Sequence, residues 1–325
     1  MQGIKVIKQL DAVTFIQNST ATINIPRAYT VGFLVDAVFT TTIAGAISTT
    51  TAQSLARTVA RNMRVILNGS DVRYSMTGEF LNLQNVYLTG KPTDVTINTA
   101  VAVGGTQRIS FFVPTCTTGL TIDGGDTVLN ASNSDTAILE YTTGGDVSID
   151  PAGNTTITSG TIRTSAVVLE GVTGQASAPA ITGMRSQELA VTAGESTLDL
   201  AVGGQIGNVP LNQYIGLYLS FRLATDILTP VTTALSSVNL NAIGDTFIQS
   251  NPRELQQQQN MGTSATVANM SGGLWIPLTE FGKLSTRIIA KAPQISQLQL
   301  QLTGNAGIAA TTCTITSHYA NAPIA

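Results

Sequence analysis

Apolar residues recur at every second position over long stretches of this chain, and that period fixes the kind of backbone they can sit on. Between Tyr29 and Phe39, residues Tyr29, Val31, Phe33, Val35, Ala37 and Phe39 fall on one face, with Thr30, Gly32, Leu34, Asp36 and Val38 on the other. Side chains alternate across a strand but return every three to four residues on a helix, so this pattern is a strand with one face in a core. Met63, Val65 and Leu67 alternate likewise and run into Asn68-Gly69, the dipeptide that most readily supplies the positive φ angles of a tight hairpin. Ile109, Phe111 and Val113 form another strand face, and Ile215, Leu217, Leu219, Phe221 and Leu223 alternate with Tyr218, Ser220 and Arg222. Gln297 to Leu302 is a strict Gln/Leu alternation.

Helix signals are few. Asn251-Pro252-Arg253-Glu254 offers an N-cap, a proline at the first helical position and an acid at the third, predicting a short helix through Gln259. Further short helices are expected over Gly78 to Tyr87 and within Thr51 to Asn62.

The same landmarks occur twice, in the same order. Ser19-Thr20-Ala21-Thr22-Ile23, then Ile25-Pro26, then the strand from Tyr29 correspond to Ser196-Thr197-Leu198-Asp199-Leu200, then Val209-Pro210, then the strand from Tyr214. Each long strand is followed by a Thr-rich loop, a strand ending in Leu67-Asn68 or Leu240-Asn241, a short helix signal and a further strand. This order argues for a duplicated β domain, with halves at 1–185 and 186–325. Residues 116–185 differ from both flanks, with two basic and seven acidic groups, and repeat Gly124-Gly125-Asp126 as Gly144-Gly145-Asp146. Such turns predict hairpins, so part of 116–185 is expected to be an acidic, solvent-facing excursion, the rest completing the sheets of the first half.

Composition excludes several functions. With 43% hydrophobic residues and a net charge of −3, the chain is not of the disordered class. Only 11% of residues are charged, which leaves a free monomer prone to associate. No segment reaches the ~18 apolar residues of a membrane-spanning helix, and the N-terminal Met-Gln-Gly-Ile-Lys-Val-Ile-Lys lacks the apolar core of a signal peptide, so synthesis and assembly in a cytoplasm are expected.

Catalytic chemistry finds little to work with. His318 is the one histidine, and its alternation with Thr312, Thr314 and Thr316 reads as a solvated or hydrogen-bonded histidine at a sheet edge. Cys116 and Cys313 read as buried free thiols, and no Cys-x-x-Cys spacing preorganises a zinc site with His318. Asp123, Asp126, Asp146 and Asp150 lack a calcium-loop spacing and read as acidic turn residues. Arg57, Arg61 and Arg64 are the densest basic group, too small for a nucleic-acid groove, and suit a salt-bridge cluster facing a partner. No residue is assigned to catalysis, to a metal or to a cofactor. Lys5 and Lys8, interleaved with Ile4, Val6 and Ile7, fit an N-terminal arm that touches either an anionic lipid surface or a neighbouring subunit.

One family shares this layout. Ala21-Thr22-Ile23-Asn24-Ile25-Pro26-Arg27 leading into the strand Tyr29 to Thr40, the run from Arg61 to Ser70 through Asn68-Gly69, the helix near Glu79 to Tyr87 and a second sandwich from about Arg185 carry the likeness. Together they resemble the double jelly-roll major capsid proteins of tail-less, icosahedral, membrane-containing bacteriophages. The resemblance implies an all-β chain of two tandem jelly-roll β-sandwiches with a few short helices. It further implies a homotrimer forming a pseudo-hexagonal capsomer, capsomers tiling an icosahedral shell over an internal lipid membrane, and minor capsid or vertex proteins as partners. The chain would then reside in the virion, without cofactor, enzymatic activity or direct nucleic-acid binding, with the 116–185 excursion outward and the arm bearing Lys5 and Lys8 near the membrane or a neighbour. Two other classes fit the residues: a phage fibre or surface adhesin whose β-sandwich binds carbohydrate, and a β-sandwich hydrolase with two acids beside a cleft.

Overall fold

The alternation that begins at Tyr29 runs on to Ile43, giving a 15-residue strand. Its Val31, Phe33, Val35, Ala37, Phe39 and Ile43 side chains are all buried. A strand of this length needs long neighbours to satisfy its backbone, and it has two, Thr155–Thr173 on one side and Ala102–Pro114 on the other, both antiparallel. The computed structural model describes residues 2–89, 93–115, 128–173, 181–200, 205–206, 209–210, 213–231, 234–242, 245–252, 254–255, 273–278, 288–289 and 298–321. Within them the chain divides into two compact units, Met1–Thr182 and Gly183–Ala325.

In the first unit one layer runs Gln2–Gln9, Thr155–Thr173, Tyr29–Ile43, Ala102–Pro114, Asp94–Thr96. The facing layer consists of Thr20–Asn24, Ala137–Thr142, Asn62–Leu67 and Asp71–Met76, all antiparallel. The chain crosses between the layers several times, from Thr20–Asn24 to Tyr29–Ile43, on to Asn62–Leu67, and later from Ala137–Thr142 to Thr155–Thr173, so that the apolar faces of the two layers meet, as in a sandwich. Ile23, Met63, Val65, Leu139 and Tyr141 are buried in this way. Phe15 meets Phe39 edge to face, ring centroids 4.9 Å apart. The Tyr141 hydroxyl shares a 2.9 Å hydrogen bond with that of Thr164, so its burial leaves no orphaned polar group.

The second unit repeats the plan. One layer runs Gly194–Asp199, Leu298–Gly304, Leu235–Ala242, Asp245–Ser250. The other holds Ile181–Val191, Thr311–Asn321 and Gln213–Leu223, with Asp226–Pro230, Gly273–Pro277 and Ile288–Ile289 all paired to Gln213–Leu223. The Gln/Leu alternation sends Leu298, Leu300 and Leu302 into a core with Leu217, Leu219, Phe221, Val238, Leu240 and Ile315. On the other face, the Gln301 side-chain oxygen accepts from the Asn239 amide at 3.1 Å and the Asn241 amide at 3.3 Å. Trp275 takes its place in register opposite Tyr218; its side chain lies outside what is described.

Local signals act where the sequence places them. Asn68 and Gly69 have φ of 52° and 73°, closing the hairpin between Asn62–Leu67 and Asp71–Met76. Helix α1 is Ala52–Val59, and the Thr51 hydroxyl accepts from the Ser54 N–H at 3.1 Å while the Ser54 hydroxyl accepts from the Thr51 N–H at 2.9 Å. Helix α2 is Gly78–Thr89. At Asn251 the side-chain oxygen accepts from the Glu254 N–H at 2.9 Å and the Glu254 carboxylate accepts from the Asn251 N–H at 3.0 Å, a complete capping box. The expected continuation to Gln259 lies outside the described residues.

The 116–185 interval differs from expectation. Residues 137–142 and 155–173 are inner strands of the two layers, and Gly144-Gly145-Asp146 opens helix α3, Asp146–Ile149, instead of closing a hairpin. Gly144 and Gly145 are buried because their missing side chains let Ser148 and Asn18 close in. The rest of the interval, 116–127, which holds the other Gly-Gly-Asp, and 174–180, lies outside the described residues.

Helices α1 and α2 cross at Gly78, whose N–H donates to the Ala60 carbonyl at 2.8 Å. A Cβ there would lie 1.9 Å from the Ala56 carbonyl oxygen, a backbone atom that cannot swing aside. Gly78→Ala is therefore expected to destabilise the first unit by about 2 kcal/mol or more, read as a lowered midpoint in denaturant titration; a midpoint equal to wild type would refute the contact.

Candidate functional site

His318 occupies the strand Thr311–Asn321, which is paired on both sides, so it is not the edge residue the sequence implied. Alternation alone cannot tell an edge strand from a central one. It is 5% exposed, and burial pushes its pKa down to about 4. Cys313, on the same strand, is a buried free thiol as expected. Burial raises its pKa, which leaves it without the thiolate that reactivity requires. Cys116 lies outside the described residues, as do Asp123 and Asp126. Among the described residues no group of three or more His, Cys, Asp or Glu could hold a metal ion.

Asp146 and Asp150, expected as solvated turn acids, instead tie elements together. Asp146 accepts from the Ile157 N–H at 2.7 Å and the Gln17 side-chain amide at 2.9 Å. Asp150 is fully buried. It accepts from the hydroxyls of Thr49 at 2.5 Å, Thr155 at 2.8 Å and Ser48 at 3.2 Å, and from the N–H groups of Ala152 at 3.1 Å and Thr49 at 3.2 Å. Burial by itself would raise the Asp150 pKa, but the bonds from Thr49, Thr155 and Ala152 outweigh it and hold the carboxyl below its ordinary value. The run Ser48-Thr49-Thr50-Thr51 was the sequence sign of such a hub, a cluster of hydroxyl donors with no charge of its own.

Two of the three clustered arginines form intrachain salt bridges. Arg57 pairs with Glu79 at 3.1 Å in a nearly buried site, and Arg64 pairs with Glu140 across neighbouring strands. Arg61 is exposed. Arg57 and Arg64 thus form intrachain salt bridges, while Arg61 stands on the surface. A further contact had no sequence signal: the Asn85 amide donates to the Phe112 carbonyl at 2.5 Å and its oxygen accepts from the Phe112 N–H at 2.6 Å, so one side chain stands in for a neighbouring strand.

Lys5 and Lys8 lie on the strand Gln2–Gln9, which pairs with Thr155–Thr173 and ends that sheet among the described residues. The arm is thus part of its own chain's sandwich. Lys8 pairs with Glu170 at 2.5 Å, while Ile4 and Ile7 stand exposed. Charged residues on an edge strand discourage uncontrolled pairing.

No family model matches the chain, and no curated protein matches it in sequence. Solved structures match along its whole length. The STIV major capsid protein superposes with a TM-score of 0.72 at 13% identity, covering 98% of this chain and 97% of that one. A chain of the atomic structure of Sulfolobus turreted icosahedral virus gives 0.72 at 14%, covering 99% and 92%. Major capsid protein P2 from bacteriophage PM2 gives 0.59 at 13%, covering 98% and 97%. The chain is a double jelly roll. In this double jelly roll Asp146 and Asp150 are engaged by internal donors, and Cys313 and His318 are buried.

Two outcomes follow from the buried groups. Asp150→Ala strands five donors and is expected to cost on the order of 3 kcal/mol at pH 7. Because the folded pKa is lowered, Asp150 contributes fully above the unfolded value near 3.9 and loses that contribution as pH falls through the folded value. The gap between wild type and variant in urea titrations should therefore close only in strong acid; a gap independent of pH would contradict this assignment. His318 behaves with its own window. The unfolded chain binds its proton near pH 6.5 and the folded one only near 4, so stability declines as pH falls through that interval. Replacing it, His318→Gln, should flatten this slope, by about 3 kcal/mol in total at pH 4; an unchanged slope would show that the imidazole is not the group responsible.

Proposed function

We propose that this chain is a viral major capsid protein. The observation that carries the reading is the end-to-end match: two tandem jelly rolls that align over 97% of the STIV and PM2 major capsid proteins, with no half of either left unmatched. A hydrolase or a carbohydrate-binding sandwich would need a cleft of converging acids or aromatic platforms, and Asp146 and Asp150 are engaged by the chain's own donors.

In this reading three copies form a pseudo-hexagonal capsomer, and capsomers tile an icosahedral shell over an internal lipid membrane. The chain has no enzymatic role and works by repeating one set of weak, largely uncharged contacts. Minor capsid or vertex proteins close the shell, which assembles in the host cytoplasm and leaves the chain in the virion. The strand bearing Lys5 and Lys8 supplies a contact to the membrane, with the Lys8 charge shared with Glu170. The halves act as one domain each, 1–185 and 186–325.

Electron microscopy of the purified protein, with light scattering for mass, tests the proposal. Compact trimers that go on to sheets or shells at high concentration are expected. Discrete monomers under every assembly condition, or an elongated trimer, would overturn it.

A further inference from the structure

All eight large apolar side chains that stand exposed among the described residues belong to the first unit, and five of them gather at one end of it: Ile16, Ile47, Val101, Val103 and Val147. Their placement follows from the sheet register. Ile43 lies opposite both Ala102 and Thr155, so the connections after Ile43, before Ala102 and before Thr155 issue from the same end of the layer. Hydrogen bonds lock these connections together: the Ser48 N–H donates to the Thr99 carbonyl and the Ala44 N–H to the Asn154 carbonyl, each at 3.0 Å. The segment around Ile16 joins through the Asn18 N–H, which donates to the Gly144 carbonyl at 3.1 Å, and helix α3 carries Val147 beside it. The Asp150 hub fixes the 48–51 connection and the start of Thr155–Thr173 from within.

The segments of this end are tied together and carry little charge, with the exposed Arg61 beside them, its N–H donating to the Thr142 carbonyl at 2.8 Å. Across residues 15–19, 44–51, 97–105 and 143–154 the only ionisable side chains are Asp146 and Asp150, both occupied by internal donors. Exposures of 89% at Val103, 71% at Ile47 and 62% or 63% at the other three mean that these side chains project outward. Rigid presentation lowers the ordering cost of binding, and a cluster of exposed aliphatics of this kind marks a contact surface.

We propose that the Ile47–Val101–Val103 end, flanked by Ile16 and Val147, is a contact surface for a second copy of this chain. The inference rests on the capsid reading above and assigns one of its interfaces. Three arguments select the occupant. A lipid surface is recognised by Lys, Arg, Trp and Tyr, and those segments contain none. A charged partner would need counter-charges, and both carboxylates are already used. The chain itself has only 11% charged residues and so offers the neutral counter-surface. Five aliphatic side chains make a patch of roughly 300–600 Å², below the ~800 Å² per partner of a stable pairwise complex. The contact is accordingly weak for one pair and effective only when repeated through an assembly.

The test compares wild type with the double variant Ile47→Asp/Val103→Asp and the milder Val103→Ser, all at exposed positions and checked for unchanged melting temperature. Sedimentation velocity over a concentration series and negative-stain microscopy read the result. Wild-type and variant trimers should be the same, while the double variant should need at least tenfold more protein for higher-order assembly, with Val103→Ser between the two. Trimers that assemble at the wild-type concentration in both variants would overturn this surface and leave the capsid reading standing. Wild-type protein that stays monomeric at every concentration would overturn both. Flotation of wild type, but not the double variant, with phosphatidylcholine vesicles, with assembly unaffected, would reassign the surface to lipid.

Discussion

The burial of one face of Tyr29–Ile43 is the constraint on which the first unit depends. Its 15 residues are held between strands of 19 and 13 residues, and the register of those pairings determines which side chains point inward. A slip of one residue would turn Phe33, Val35 and Phe39 to solvent, so the sheet has a single acceptable alignment. The same register places Ile43, Ala102 and Thr155 side by side, and through them decides which loops meet at the end of the layer. The second unit has its counterpart in Gln213–Leu223, which is buried from Tyr214 to Arg222 and pairs with every strand that closes around it.

Polar residues then finish what apolar burial leaves undone. Turns and layer crossings bring backbone N–H groups and short side chains together away from water, where each unpaired group would be costly. Asp146, Asp150 and Asn85 answer that need with a small number of side chains. Because Asp150 is satisfied by five neutral donors and no cation, its charge does not need to be paired at the surface. The result is a first unit in which the buried acids are answered by the chain's own donors. With only 11% of residues charged, copies of the chain can approach one another with little electrostatic selection or repulsion.

Much of this was legible in the sequence because it is local. Alternation gave the long strands, Asn68-Gly69 the turn, and the Asn251 box a helix start, since each depends on residues within a few positions. The repeated order of landmarks pointed to two sandwiches, as the fold has. The failures share a different cause. Gly144-Gly145-Asp146 was taken for an exposed hairpin although Ser148 and Asn18 close over it, and His318 for an edge residue although strands flank it on both sides. Asn85 carried no signal, for nothing in α2 announces a partner at Phe112, 27 positions on.

By itself, then, the sequence determined that the chain would be a pair of β-sandwiches low in charge, because side-chain period and composition act position by position. Only the tertiary structure decided which strands are central, which acids are buried hubs, and which aliphatic side chains remain outside. Those outcomes depend on pairings between residues about a hundred positions apart, such as Ser48 with Asp150, and no local pattern encodes a partner at that distance.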